Sequence, residues 1–340
     1  MRPLRPTAAL AVPLLLLATA CGSGTGPAAD AAPPSAAPVV LEHAFGSTTV
    51  PAEPERVVSV GFTDQDPLLA LGVVPVGVRE WYGEQPNATW PWATAALGDA
   101  QPTVLPAAEL AFEQIAALEP DLIVGISSGM TEQDYDRLSA IAPTLARPAG
   151  DVDFGTPWQD ATRLVGRAVG EDERAEQLVT RLEQRFAEVR AQNPSLAGRT
   201  AAFGTMFDAT SISAYGPEDA RGRLLGDLGL VLPDAVVEGA GDRFFAALSP
   251  EQLGRLDGDA LVWAAVGASD DHVRALALRP RLRVVQQGGE VFLDERESGA
   301  ASFGTVLSLP ALLDTLVPKL VAAVDGDPAT AVPTSAPQAG

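Results

Sequence analysis

One cysteine, one lysine and two histidines are all that this chain of 340 residues holds of those types. With Cys21 alone there is no disulfide framework, so the body must be held by packing. His43 and His272 are too few for a free zinc or manganese centre, which wants two or three imidazoles beside carboxylates. Because Lys319 is the only lysine, anion recognition falls to arginine and its planar fork. Cations are scarce altogether: 23 Lys and Arg stand against 44 Asp and Glu, a formal charge of −21, which argues against nucleic acid as a partner. No apolar run is long enough to cross a bilayer as a helix.

The longest such run, over residues 8–20, follows Arg2 and Arg5 and ends at Ala18, Thr19 and Ala20, immediately before Cys21. That order reads as a secretory signal over 1–20, removed on export. Cys21 sits where a bacterial lipoprotein signal places its lipid-modified residue, with Ala18 where leucine is commoner. Lipidation of Cys21 is therefore expected, anchoring the protein to the membrane without spanning it. Residues 21–38 are mostly Gly, Ser, Ala and Pro, a tether that cannot build a core, and 326–340 read as a similar disordered tail.

Two stretches share one register: LAFEQIAALEPDLIV from Leu110 and LSPEQLGRLDGDALV from Leu248. Leu110 matches Leu248, Glu113 matches Glu251, Gln114 matches Gln252, Leu118 matches Leu256, Asp121 matches Asp259 and Val124 matches Val262. Each copy predicts a short helix, an acidic turn and a buried strand. Ser249, Pro250 and Gln252 give the second copy an N-cap, an N1 proline and a capping box, so Glu251 has a local reason in the helix dipole. Ala111 gives the first copy no such cap, yet Glu113 stands in the same place. The symmetry favours a shared surface role for the two glutamates.

Around the repeats the pattern alternates. A hairpin turning at Gly46 is followed by a strand over 56–61, a helix over 66–71 and a strand over 74–78, short apolar runs of the kind that form a parallel sheet covered on both faces. Ala175, Leu178, Val179, Leu182, Phe186 and Val189 keep helical spacing up to Asn193-Pro194, predicting one long helix. The chain thus divides into an N-terminal α/β lobe over 39–165, a linker helix over 166–195 and a C-terminal α/β lobe over 196–325. In the second lobe a strand restarts at Arg199, a loop runs through Tyr215, a helix covers 221–228, a strand covers 291–295 and a last helix covers 309–324.

The stretches FGSTTVPAEPERVVSVG, LLALGVVPVGV, FEQIAALEPDLIV, LSAIAPTL, SPEQLGRLDGDALV and SLPALLDTLVPKL, in that order, resemble the lipoprotein substrate-binding proteins of bacterial iron-siderophore and cobalamin ABC importers, the actinobacterial ferric-siderophore members above all. The resemblance covers residues 40–325. It implies two α/β lobes with parallel or mixed sheets, joined by one rigid helix as in class III periplasmic binding proteins. It also implies a cargo in the cleft between the lobes: a ferric siderophore, with cobalamin or haem as the alternative. Glu113 and Glu251 fall where that family docks on its permease dimer, which works with an ATPase. A monomer on the outer face of the cell membrane is expected, with no resident cofactor or metal and no catalysis.

Cleft residues belong on loops at the carboxyl ends of strands. The candidates are Trp81, Tyr82, Ser128, Trp158, Phe207, Tyr215, Arg243, Trp263 and Arg296: aromatics to cover apolar arms, arginine and tyrosine to bond the oxygens around iron. Nothing in the sequence shows that Arg79, Arg243 and Arg296 converge as a trianionic catecholate would require, so the acidic balance leans to hydroxamate cargo. One rival is enzymatic. Gly125-Ile126-Ser127-Ser128-Gly129 is a literal G-x-S-x-G after an apolar strand, with His272 the sole histidine downstream of Ser127. No oxyanion segment precedes it, and two of its three fixed positions are glycine in a chain with 32 glycines.

Overall fold

The computed structural model describes residues 37–265 and 269–334. Cys21, the segment read as a signal and nearly all of the tether lie outside the described residues, as does 335–340. Residues 36–340 form one compact unit. Its strands are β1 (Val39–His43), β2 (Gly46–Val50), β3 (Val57–Ser59), β4 (Gly77–Arg79), β5 (Thr103–Leu105), β6 (Leu122–Gly125), β7 (Thr144–Ala146), β8 (Ala201–Asp208), β9 (Ser211–Tyr215), β10 (Phe245–Leu248), β11 (Ala260–Trp263) and β12 (Glu290–Phe292). The α-helices are α1 (Gln65–Ala70), α2 (Thr94–Leu97), α3 (Phe112–Ala117), α4 (Glu132–Ser139), α5 (Trp158–Val169), α6 (Asp172–Gln192), α7 (Ala220–Asp227), α8 (Asp234–Ala240), α9 (Ser269–Arg274), α10 (Arg283–Gln286), α11 (Glu295–Phe303) and α12 (Ser308–Ala323).

They make two α/β lobes beside the small antiparallel hairpin of β1 and β2. The N-terminal sheet runs β5-β4-β3-β6-β7 and every neighbouring pair is parallel. The C-terminal sheet runs β10-β9-β8-β11-β12 and is mixed, parallel from β8 to β12 and antiparallel from β8 to β10. Strands β3, β6, β7 and β11 are buried at every position, as expected of sheets covered on both faces. Tyr215, expected in a loop, instead closes strand β9, pairing with Phe245.

The two repeat copies occupy equivalent places. Helix α3 leads into β6 and the 3-10 helix Pro250–Leu256 leads into β11, each the fourth strand of its sheet. The second copy is thus a tighter 3-10 helix and not an α-helix. Most of the shared residues have structural work. Asp121 accepts the backbone N–H groups of Glu55 and Arg56 at 2.8 and 2.9 Å, just before β3, and Asp259 accepts that of Thr200 at 2.8 Å, just before β8. Each aspartate so pins its strand to the central strand beside it. Leu256, Val124 and Val262 are buried, and Gln252 closes the capping box on Ser249 N at 3.0 Å. Glu113 and Glu251 are both exposed, and Glu251 interacts locally with Ser249 of its own capping turn.

Within the range read as linker, Gly170 ends α5 in the left-handed conformation and α6 follows with 21 residues, roughly 32 Å long. Ala175 of α6 sits in the N-terminal core, while Val179, Leu182 and Phe186, one, two and three turns on, sit in a core shared with α7, α11 and α12. That second core also takes in Ala70 of α1 and Trp158 of α5 from the N-terminal lobe. The lobes touch directly as well. A Cβ on Gly299 of α11 would lie 2.7 Å from the Trp90 ring, so only glycine lets that indole lie flat on the helix. Lys319 of α12 is buried and paired with Glu297 of α11 at 2.6 and 2.8 Å, fixing the two last helices together. Residues 326–334, expected in the tail, turn through Asp327 and bring Val332 back against the C-terminal core.

Candidate functional site

At the carboxyl ends of the parallel strands the two lobes enclose a cavity of about 240 Å³. The N-terminal lobe lines it with Phe62, Thr63 and Asp64 after β3, Trp81 after β4, Ser127 after β6, Phe154 after β7, and Trp158 at the start of α5. The other lobe brings Asp219, Arg221 and Arg223 at the start of α7, Phe244 before β10, and residues 302–305 where α11 ends. Phe62 stacks between Trp81 and Phe154 at 5.6 and 6.0 Å, and Phe154 meets Phe244 edge-on at 6.1 Å across the opening. The wall is therefore a run of rings contributed by both lobes.

The polar groups are all tied back. Asp219 caps α7, accepting Arg221 N at 2.8 Å, and grips the Arg221 guanidinium bidentately at 2.7 Å on both oxygens. Arg221 also donates to Ser302 Oγ at 3.3 Å and lies 3.4 Å above the Tyr215 ring. Burial works against its charge, but Asp219, Tyr215 and Tyr82 outweigh it and hold the guanidinium above its ordinary range. Arg223 pairs with Glu218 at 2.9 Å. Burial pushes Asp227 upward, and Trp158 Nε1, which makes no full hydrogen bond, lies close enough to that carboxyl to offset part of the push.

Two buried carboxyls underlie the floor. Asp64 accepts Ser127 N at 3.1 and 3.2 Å, and burial lifts it to about 7. Gly61 makes room, since a Cβ there would overlap the Asp64 carboxyl. Asp66 accepts Trp92 Nε1 at 2.8 Å and Thr305 Oγ1 of the other lobe at 2.5 Å, and burial lifts it likewise to about 7. Asp66 is thus a polar link between lobes beneath the cavity.

Of the residues expected in the cleft, Trp81 and Trp158 line the cavity and the others do not. Tyr82 lies behind the wall, edge-on to Trp81 at 4.9 Å, its phenol pushed up to about 12 by burial. Tyr215 is a layer deeper, supporting Arg221. Ser128 turns inward, donating to Gly125 O at 2.8 Å; its neighbour Ser127 faces the cavity instead. Trp263 points to the far face of its sheet, fully buried and bonded to Glu290 at 3.0 Å. Phe207 is 63% exposed beyond the cleft, and Arg296 is exposed on the first turn of α11. Arg243 is exposed and folds back onto Gly239 O at 3.0 Å, leaving Phe244 to enter the cavity. Phe154, Phe244, Arg221, Arg223 and Phe303 carried no motif; only their places next to strand or helix ends could have flagged them.

The enzymatic reading finds no support in this geometry. Ser127 Oγ accepts a hydrogen bond from Thr63 Oγ1 at 3.0 Å, and no histidine bonds to it among the described residues. His43 is buried in the hairpin on Thr48 Oγ1 at 2.9 Å, and His272 is on α9. Among the described residues no group of three or more His, Cys, Asp or Glu side chains is placed to hold a metal ion.

Comparison with known proteins agrees with the architecture. Residues 57–291 match the periplasmic binding protein family. A probable siderophore-binding lipoprotein of Bacillus subtilis, YfiY, is 29% identical over 231 residues, 66% of this chain and 67% of its own. The crystal structure of a periplasmic solute-binding protein from Mycobacterium smegmatis superposes with a TM-score of 0.76 at 33% identity, covering 85% of this chain and 99% of that one. PiaA of Streptococcus pneumoniae in complex with ferrichrome superposes with a TM-score of 0.73 at 27% identity, covering 85% and 99%.

Proposed function

Since the chain belongs to the periplasmic binding protein family, we propose that it is an extracytoplasmic carrier that captures a ferric siderophore between its lobes and hands it to the permease of an ABC importer. The observation that carries this is the cavity, closed by aromatic rings from both lobes at the carboxyl ends of their strands. Such a wall covers an apolar chelate, and hydroxyls and guanidiniums at its base donate to the polar oxygens. The probable siderophore-binding lipoprotein from B. subtilis and the ferrichrome-bound structure support the same cargo here. Iron arrives already chelated, so no resident cofactor is needed.

Delivery rests on Glu113 and Glu251. Once the structural duties of the repeat are subtracted, these exposed carboxylates remain, one per lobe at equivalent positions, suited to arginine pockets on a two-fold partner. Lipidation of Cys21 tethers the carrier beside that partner as a monomer.

Two measurements test the reading. Titration of the purified protein with ferric siderophores should quench Trp81 and Trp158, whereas free iron should not; silence towards every ferric siderophore would sink the proposal. Glu113→Ala combined with Glu251→Ala should abolish uptake in cells and leave cargo affinity intact. Weakened affinity would place the glutamates in the cleft.

A further inference from the structure

Resting on the siderophore reading, we infer that the cargo is a neutral or singly cationic ferric complex of the hydroxamate class, and not a trianionic catecholate complex. The charges facing the cavity carry the argument. Two guanidiniums line it, and both are already neutralised: Arg221 by the bidentate grip of Asp219 at 2.7 Å, Arg223 by Glu218 at 2.9 Å. Arg79, the other arginine on the N-terminal wall, lies under the Phe62 ring at 4.2 Å. Its two terminal nitrogens bond the carbonyls of Val60, Ser128 and Ala107, its Nε is buried without a partner, and it does not reach the cavity.

Beyond those pairs two more carboxyl groups belong to the same lining, Asp64 and Asp227. The site as built therefore offers no surplus positive charge among the described residues. Three catecholates, each a dianion, leave iron(III) with three negative charges, and moving those from water into a ring-lined cavity requires matching cations. Three hydroxamates, each a monoanion, leave iron(III) neutral. Their oxygens then need only neutral or shared donors, such as the Ser127 hydroxyl, whose own hydrogen is left over after Oγ accepts from Thr63, and the outer edge of Arg221. A pendant ammonium on such a chelate would be welcome beside Asp227, which is in no ion pair among the described residues.

Equilibrium quenching of tryptophan in the purified protein decides the matter, with ferrichrome as the neutral tris-hydroxamate, ferrioxamine B as the monocation and ferric enterobactin as the trianion. Ferrichrome or ferrioxamine B should bind at least about tenfold more tightly than ferric enterobactin, and tenfold more salt should move that affinity by less than about twofold. If ferric enterobactin binds as tightly as either hydroxamate, or if affinity for the hydroxamates collapses with salt, the class inference is overturned while the siderophore reading stands. If none of the three binds, the class inference falls and the siderophore reading stands or falls with the wider titration; if only cyanocobalamin binds, both fall.

Discussion

Replacing Asp66 by asparagine isolates the buried link between the lobes. The Asp66 carboxyl is 1% exposed, accepts Trp92 Nε1 and Thr305 Oγ1, and is lifted from 3.8 to about 7, chiefly by burial. A carboxyl whose pKa is raised on folding contributes most below its unfolded value and loses that contribution as pH rises through its folded value. Here the window runs from near 3.8 to about 7. Roughly three pH units at about 1.4 kcal/mol each give a loss of about 4 kcal/mol across that window. Asparagine copies the neutral acid and does not titrate. In urea unfolding between about pH 4 and about pH 8, the stability of Asp66→Asn relative to the wild type should therefore rise with pH by as much as about 4 kcal/mol. Asp64 titrates in both proteins and cancels in the difference. A difference that stays flat within about 1 kcal/mol would refute the reasoning, because it would mean that water or a cation already reaches Asp66 in the folded state.

Two further outcomes follow from the packing. Lys319→Ala removes the cation that α12 sets against the buried Glu297 carboxylate, which keeps its capping bond from Asp294 N, and should cost about 3 to 5 kcal/mol by chemical denaturation, with Lys319→Met plus Glu297→Leu recovering part of it. Asp121→Ala and Asp259→Ala each release backbone donors ahead of a central strand and should each cost about 1 to 3 kcal/mol; being in different lobes, the two losses should add in the double variant.

Much of the architecture was legible because it is written in period and repetition. The α6 stripe marked the long helix, and the paired motifs located β6 and β11 at matching sheet positions. What periodicity does not carry is which side of a strand faces a ligand and how far a side chain is turned back on its own lobe. Trp263 alternates to the covered face of its sheet, Ser128 is drawn inward by Gly125 O, and Arg243 by Gly239 O. In the last two cases the adjacent residue, Ser127 or Phe244, takes the cavity place. The C-terminal lip, 302–305, depends on where α11 stops and how it meets the other lobe, a tertiary fact with no local signature.

The core that gathers Ala70, Trp158, the middle of α6 and the terminal helices belongs to both lobes at once. Melting either lobe would expose apolar surface of the other, which couples the unfolding of the two. A cargo held in the cavity at about a hundredfold over its dissociation constant then adds about 2.7 kcal/mol to the whole chain, not to one half. Where proteolysis follows the population of unfolded molecules, idle carriers are cleared about a hundredfold faster than loaded ones. The shared core thereby makes the lifetime of the protein a gauge of how much cargo its surroundings hold.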